Sequence, residues 1–192
     1  MKIDINKAKK NLIKGNLVIF PTETVYGLGG DATKISAIKK IYKIKKRPIN
    51  NPIICHFKDI KSIEKNFIFN DIDYKLAYKY WPGPLTLILK RKNISKISPL
   101  ISNNSKYVGC RIPNHPIAKS LLKVIDFPIA APSANISKKL SSTNIDHIST
   151  KVKNKVFILD GGSTPLGMES TVIKTNKNSL EILRQGSITH EE

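Results

Sequence analysis

Apolar and polar positions alternate along the chain in short runs that predict an ordered series of helices and strands. Within residues 4–14, apolar side chains recur three and four positions apart, which predicts a helix that begins at Asp4 and stops before Gly15. The apolar run at 17–20 predicts a strand that ends at Pro21, since proline interrupts a sheet ladder.

The rest of the chain continues in the same way. We expect a polar loop at 21–30, whose three glycines would allow positive φ and close approach of a ligand to the backbone. A polar connection is expected at 91–106. Further helices are predicted at about 33–46, 59–66, 70–80, 116–124 and 143–150, and further strands at 53–57, 85–89, 107–113, 127–131, 156–159 and 180–184.

This mixture predicts the fold class α/β, or more loosely α+β, with one twisted sheet of parallel and antiparallel strands flanked by helices. No internal repeat and no long linker divides the chain, so we expect one domain over residues 1–192. The polar motifs P-T-E-T, N-H-P, P-S-A-N and D-G-G each follow a predicted strand. They should therefore meet in one cleft at one edge of the sheet.

The composition limits the class of protein. No apolar run approaches the roughly 18 residues of a membrane span, and the first residues do not resemble a signal peptide. Cys55 and Cys110 lie inside apolar runs, which is typical of buried thiols in a reducing cytoplasm. The net charge of +19 suggests RNA binding. However, the basic residues are spread along the whole chain, so we favour a compositional origin and expect only weak RNA affinity from charge alone.

Several common kinds of site are absent from the sequence. There is no P-loop motif, no G-x-G-x-x-G and no G-x-S-x-G elbow. The histidines do not have metal-ligand spacing with one another or with the cysteines, so we expect no metal ligands from protein side chains. The histidines are His56, His115, His147 and His190.

Only four of the 33 basic residues are arginines, which makes each of them a candidate for work that lysine cannot do. Arg91 is expected at the solvated end of a strand. The others accompany a set of cations and short polar groups that suits the binding and alignment of anionic substrates. That set comprises Lys45, Arg47, Arg111, Arg184, Thr22, Thr24, Ser133, Asn135, Ser141 and Ser170.

Ordered motifs give the chain a family resemblance. It resembles the YrdC/TsaC family of threonylcarbamoyl-AMP synthases over about residues 8–190. The blocks are P-T-E-T-V-Y-G-L from residue 21, K-x-R at 45–47, H-F at 56–57, P-G-P-L-T at 82–86, V-G-x-R-x-P at 108–113, P-S-A-N at 132–135, G-x-x-x-x-G-x-x-S-T-V at 162–172 and L-R-x-G at 183–186.

The resemblance implies a YrdC-like fold of the double-stranded-RNA-binding, RibB-like type, and a cytoplasmic nucleotidyltransferase. It would convert L-threonine, bicarbonate and ATP, with Mg²⁺, into threonylcarbamoyl-AMP and diphosphate for t6A at tRNA position 37. Proteins that transfer the group to tRNA would be partners. The implied roles are threonine binding by Thr24, His56, Arg111 and Ser170, ATP binding by Arg47, Asn51, Ser133, Asn135, Ser141 and Arg184, and catalysis by Lys45 and Arg47.

The chain departs from the family pattern at two positions. Tyr107 stands where a small hydroxyl residue is expected, and Ala131 where some members have threonine. The ending soon after Gly186 resembles the short, single-domain form. Two alternatives remain: a carbamoyl-adenylate-forming relative of the hydrogenase-maturation enzymes, and a non-catalytic RNA-binding or ribosome-maturation module.

Overall fold

The computed structural model describes residues 3–135, 140–176 and 179–189, so His190 lies outside the described part. The α-helices are α1 (Ile5–Ile13), α2 (Ile35–Lys45), α3 (Ile60–Glu64), α4 (Asp71–Tyr80), α5 (Pro116–Lys123) and α6 (Thr150–Lys153), with 3-10 turns at Pro99–Ser102 and Ile145–His147. The strands are β1 (Val18–Pro21), β2 (Tyr26–Asp31), β3 (Cys55–His56), β4 (Phe67–Ile68), β5 (Leu85–Arg91), β6 (Tyr107–Arg111), β7 (Ile129–Ala130), β8 (Phe157–Ile158), β9 (Thr171–Thr175) and β10 (Leu180–Arg184).

All of these strands belong to one mixed sheet, as the sequence predicted. Their order is β10-β9-β5-β6-β3-β7-β2-β1-β8, with β4 paired to β5. The pairs β1–β8, β3–β6 and β5–β9 are parallel, and the other pairs are antiparallel. No helix of the described part is both long enough and apolar enough to cross a membrane.

Local sequence signals fix the helix starts. Asp4 accepts a hydrogen bond from the backbone nitrogen of Lys7 (2.8 Å), which caps α1. Asn70 and Asp73 form a reciprocal capping box at the start of α4. Helices cover both faces of the sheet, and a hydrophobic cluster lies on each face. Alternate residues of β1 point to opposite faces, so Ile19 packs into one cluster and Val18 into the other.

The prediction of a glycine loop at 21–30 is wrong for the second half of that range, which forms β2 and pairs with β1 in a hairpin. Its glycines do not take positive φ. They make room for packing: a Cβ on Gly29 would lie 2.6 Å from Ile129 Cγ2 and 2.7 Å from Phe20 Cε1. A Cβ on Gly30 would lie 2.8 Å from Leu17 Cδ2. These glycines therefore serve close packing between strands.

Three other expectations also need correction. Arg91 is not a solvated strand end: it is half-buried and donates from Nη1 to the Ile97 carbonyl (2.9 Å). The helix predicted at 143–150 is replaced by the turn at Ile145–His147 and the short α6. Strand β4 was not predicted because it has only two residues, and strand β9 was not predicted because it follows directly from a loop.

The two cysteines are free and fully buried. They are neighbours in the ladder between β3 and β6. Burial raises the pKa of Cys55 to about 12 and that of Cys110 well above its usual value. Both behave as apolar core side chains at neutral pH.

Candidate active site

A cleft of about 590 Å³ opens at the sheet edge where β2, β3 and β6 meet the segment after β7. Every side chain that the sequence selected for a ligand role lines this cleft. They are Thr24, Lys45, Arg47, Asn51, His56, Arg111, Ser133, Asn135, Ser141, Ser170 and Arg184. The structure thus brings the set together, while the role of each residue stays a prediction.

Arg111 is a buried cation at the end of β6, with 3% of its surface exposed. It donates from Nε to the Gly83 carbonyl (3.1 Å) and from Nη1 to Thr24 Oγ1 (2.9 Å). Its Nη2 forms an ion pair with Glu23 Oε1, at 2.7 Å. Glu23 therefore compensates the buried charge. The guanidinium has five N–H groups, and these three contacts leave two of them for a ligand.

Glu23 is itself held in place. Its Oε2 accepts a hydrogen bond from the backbone nitrogen of Asn114 (3.0 Å), and its carbonyl accepts one from that of Leu166 (3.0 Å). Because these contacts come from distant parts of the chain, the Arg111 guanidinium is fixed by the tertiary structure and not by its own strand alone.

His56 stands beside Arg111 in the parallel pairing of β3 with β6 and is 5% exposed. Its ring lies edge-on to Phe20, with centroids 5.9 Å apart. Burial, together with the charge of Arg111, lowers the pKa of His56 to about 3. The imidazole is therefore neutral at physiological pH, and it can offer a hydrogen bond and a surface to a ligand but no charge.

Lys45 ends α2 and turns its ammonium inward, with 1% of its surface exposed. Nζ donates to the carbonyl oxygens of Ser133 and Asn135. Burial, followed by the charge of Arg47, lowers the pKa of Lys45 to about 8. An ammonium has three N–H groups, so one remains for a ligand.

Arg47 organises the loop that follows α2. Nε donates to the Asn51 carbonyl (3.0 Å), and Nη2 donates to Asn51 Oδ1 (2.6 Å) and to the Pro52 carbonyl (2.7 Å). These bonds hold Arg47 against Asn51, and Arg47 is near enough to Lys45 for its charge to lower the pKa of that ammonium. Lys46, by contrast, is exposed and does not line the cleft.

A hydrogen-bonded network around Arg184 forms a further part of the cleft lining. Arg184 pairs with Glu169 and donates from Nη2 to the Ser170 carbonyl (2.8 Å) and to Ser170 Oγ (3.1 Å). Ser141 Oγ donates to Glu169 Oε1 (2.8 Å). Ser170 Oγ also lies 2.8 Å from Thr86 Oγ1, which is fully buried. The network therefore joins the ends of β5 and β10 to the loop before β9.

The two departures from the family pattern differ in consequence. Tyr107 is 42% exposed, does not line the cleft, and packs its ring under Lys174 Nζ (4.9 Å). Ala131 lines the cleft and is 4% exposed. Of these two positions, only Ala131 belongs to the cleft surface.

Sequence reasoning did not assign roles to Glu23, Glu169, Tyr26 or Thr86. Tyr26 donates to the Gly162 carbonyl (2.6 Å) and ties the hairpin to the loop after β8. Each of these residues lies inside a motif that was recognised, so the motif was the available signal. The sequence did not show which distant side chain or backbone group each of them contacts.

No group of three or more His, Cys, Asp or Glu side chains comes together as a metal site in residues 3–135, 140–176 and 179–189. The polar groups of the cleft are instead cations, hydroxyls, amides, the imidazole of His56 and the carboxylate of Glu169, which is paired to Arg184. Such a surface can bind anions and stabilise charge that develops on them.

Comparisons with known proteins agree with this chemistry. The family model that joins Sua5, YciO and YrdC, described as "Telomere recombination", matches residues 10–186. The chain is 41% identical over 192 residues to the threonylcarbamoyl-AMP synthase of Bacillus subtilis (strain 168), with 98% of this chain and 55% of that protein covered.

Sequence identity and coverage are similar for a relative of known structure. The crystal structure of P. abyssi Sua5 complexed with L-threonine superposes with a TM-score of 0.93 at 39% identity, with 100% of this chain and 57% of that chain covered. The chain thus spans little more than half the length of these relatives.

Proposed function

The chain belongs to the Sua5, YciO and YrdC family, and we propose that it forms threonylcarbamoyl-AMP from L-threonine, bicarbonate and ATP. The observation that carries the proposal is that two separately anchored cationic groups line one cleft. Arg111 is held by Thr24 and Glu23, and we call it the threonine end. Lys45 with Arg47 is held by carbonyl groups of residues 133–135 and 51–52, and we call it the nucleotide end. A two-substrate condensation needs both ends within one enclosed space.

At the threonine end, Arg111 would hold the amino-acid carboxylate through the two N–H groups that Gly83, Thr24 and Glu23 do not use. Ser170 and Thr24 would contact the polar groups of the amino acid. His56 would pack against it as a neutral ring, because its lowered pKa leaves no charge to repel the ammonium of threonine.

At the nucleotide end, the Lys45 ammonium and the Arg47 guanidinium would hold the triphosphate and stabilise the charge of the leaving diphosphate. Asn51, Ser133, Asn135 and Ser141 would supply further hydrogen bonds to ATP. Arg184 would complete the nucleotide end once ATP competes with its pairing to Glu169, its present ion-pair partner.

The reaction requires no covalent intermediate on the enzyme. The amine of threonine would attack CO2 derived from bicarbonate, with loss of water, to give a carbamate. A carbamate oxygen would then attack the α-phosphorus of ATP, and diphosphate would leave. Positioning and charge stabilisation account for such a step, which fits a cleft of cations and hydroxyls.

Mg²⁺ would enter as the MgATP complex, because magnesium usually binds through phosphate oxygens and few protein groups. We further propose that the product serves t6A formation on tRNA in the cytoplasm, with transfer proteins as partners. The net charge of +19 would favour tRNA nearby, although the charge is not gathered on one element.

Diphosphate release tests the proposal directly. The purified chain is incubated with MgATP and bicarbonate, with and without L-threonine, and we expect release that depends on threonine. Arg111→Lys should abolish most of it, whereas Arg91→Lys, a matched change of a half-buried arginine outside the cleft, should not. No release, or release that is independent of threonine, would overturn the proposal. Release driven by carbamoyl phosphate would favour the carbamoyl-adenylate alternative.

A further inference from the structure

A second cavity, of about 440 Å³, lies outside the cleft, and no described residue lines both. It lies against α3 and α5, beside the turn that follows α4. Its apolar walls are Phe57, Ile60, Trp81, Ile112 and Leu122, and we call it the rear pocket. A cavity of this volume with mainly apolar and aromatic walls is typical of a small-molecule site. The proposed reaction makes no use of it.

Strand geometry places the rear pocket behind the threonine end of the cleft. His56 and Arg111 line the cleft, whereas the residues that follow them, Phe57 and Ile112, line the rear pocket. Successive side chains of a strand point to opposite faces of a sheet. The two segments are still paired at this point, because the Phe57 backbone nitrogen donates to the Arg111 carbonyl (2.9 Å). One layer of backbone therefore separates the two cavities, and a ligand in the rear pocket does not occupy the cleft.

The rim of the rear pocket is cationic. Three exposed lysines line it: Lys58, Lys119 and Lys123. Lys119 Nζ donates to Asn114 Oδ1 (2.6 Å), whereas neither Lys58 nor Lys123 takes part in an ion pair within the described part of the chain. Asp59 also lines the pocket, but its carboxylate is engaged as the N-cap of α3. Three lysines against one aspartate leave an excess of positive charge at the entrance.

We propose that the rear pocket binds a small molecule with an apolar body and one anionic group. The body packs against the rings of Phe57 and Trp81, which favour an aromatic or branched ligand. The anionic group lies at the rim, near Lys58 and Lys123. Because these lysines are exposed, their charges set the preference for an anion, while burial of the apolar body supplies most of the affinity. Such a site binds its ligand whatever reaction the cleft carries out.

Three probes with the same skeleton test the charge preference: 3-phenylpropionate, 3-phenylpropan-1-ol and 3-phenylpropylamine. Trp81 is the only tryptophan of the chain and lines the rear pocket, so its fluorescence reports occupancy. At neutral pH we expect the carboxylate to bind roughly two- to fivefold more tightly than the alcohol. The amine, which is protonated at this pH, should bind more weakly than the alcohol because the rim repels it. Calorimetry on the same samples measures the three affinities independently.

Substitutions locate the binding. Ile60→Phe places a larger side chain in the pocket and should weaken 3-phenylpropionate roughly tenfold or more. Lys123→Glu leaves two lysines against two carboxylates at the rim and should remove the preference for the carboxylate over the alcohol. Lys39→Glu makes the same change of charge at an exposed lysine outside the pocket and should preserve that preference. Arg111→Lys should also leave the affinity for 3-phenylpropionate unchanged, because Arg111 lies in the cleft.

Three results would overturn the proposal. The first is an unchanged Trp81 emission with 3-phenylpropionate, with or without heat of binding. The second is equal affinity for all three probes, which would identify 3-phenylpropionate as an adventitious additive only. The third is binding that is lost in Arg111→Lys but kept in Lys123→Glu, which would place the probe in the cleft. Thermal melts report folding, and if Ile60→Phe does not fold, the lysine variants still decide. The proposed function is tested separately by diphosphate release and is unaffected by these results.

Discussion

Replacement of His56 by glutamine should make the stability of the protein less sensitive to acid. The imidazole is 5% exposed, and burial with the Arg111 charge lowers its pKa to about 3. In the unfolded chain the pKa of the same group would be about 6.5, the ordinary value for histidine. Between these two values the unfolded state binds a proton that the folded state does not. Stability contributed by the neutral ring is therefore present above about pH 6.5 and is lost as the pH falls towards 3.

The magnitude follows from the two pKa values. At pH 5 the unfolded imidazole is protonated roughly thirtyfold over neutral, whereas the folded one is almost entirely neutral. This shifts the free energy of unfolding by about 2 kcal/mol between pH 7.5 and pH 5. His115, whose pKa is also lowered by burial, adds a contribution of the same sign. The His56→Gln substitution leaves that contribution unchanged.

Urea unfolding at pH 7.5 and pH 5, followed by circular dichroism, measures the difference. The loss of stability on acidification should be about 2 kcal/mol smaller for His56→Gln than for the unsubstituted chain. His147→Gln removes an exposed histidine and serves as the matched control, with no comparable change expected. An equal loss for His56→Gln and the unsubstituted chain would refute the conclusion that His56 is held neutral by burial.

Three further predictions concern the cleft and the hairpin. Arg111→Lys should raise the KM for threonine roughly tenfold or more and the KM for ATP far less, because a charge-assisted pair is lost at the threonine end only. Equal changes of the two KM values in steady-state kinetics would argue against a carboxylate contact. ATP affinity, measured by calorimetry, should weaken several-fold as the pH rises from about 7 to 9, because the pKa of Lys45 is about 8. Lys45→Met should remove most of this pH dependence. A steep pH dependence in the variant would assign the titration to another group. Gly29→Ala should lower the free energy of unfolding by about 2 kcal/mol, since the added Cβ would overlap Ile129 and Phe20. A thermal melt identical to that of the unsubstituted chain would show that the hairpin can shift to accept the methyl group.

The helices were the part of the fold most accessible to prediction. Their signals are local: Asp4 and Asn70 cap the helices that they precede, and apolar side chains repeat at the helical period. The short strands were harder to place. β4 and β9 depend on pairing with β5, whose residues are distant in sequence, and no periodicity within two to five residues can report that pairing.

The β1–β2 hairpin shows why glycine is ambiguous in sequence. The same residue type serves positive φ in a loop and the absence of a side chain in a packed strand. At Gly29 the second reason applies, because Ile129 and Phe20 occupy the space where a Cβ would stand. Ile129 is a hundred positions away, so the choice between the two readings needed the tertiary structure.

The ligand-facing residues of the cleft were largely accessible from sequence, because the chain has few arginines and its motifs keep a fixed order. The supporting residues were not. Glu23 matters through Arg111, and Thr86 through Ser170, and each pair is separated by more than eighty positions. A sequence names the polar residues of a motif but does not say which of them are paired.

The sequence alone predicted α1 to α5, one mixed sheet, and the side chains that compose a cationic cleft. Only the tertiary structure decided the charge and hydrogen-bond direction of those side chains. His56 is neutral because the fold buries it beside Arg111, and Thr24 Oγ1 accepts from Arg111 Nη1 because the fold brings these two residues together. Burial and long-range pairing set protonation and hydrogen-bond direction, and neither is a property of a residue and its neighbours in sequence.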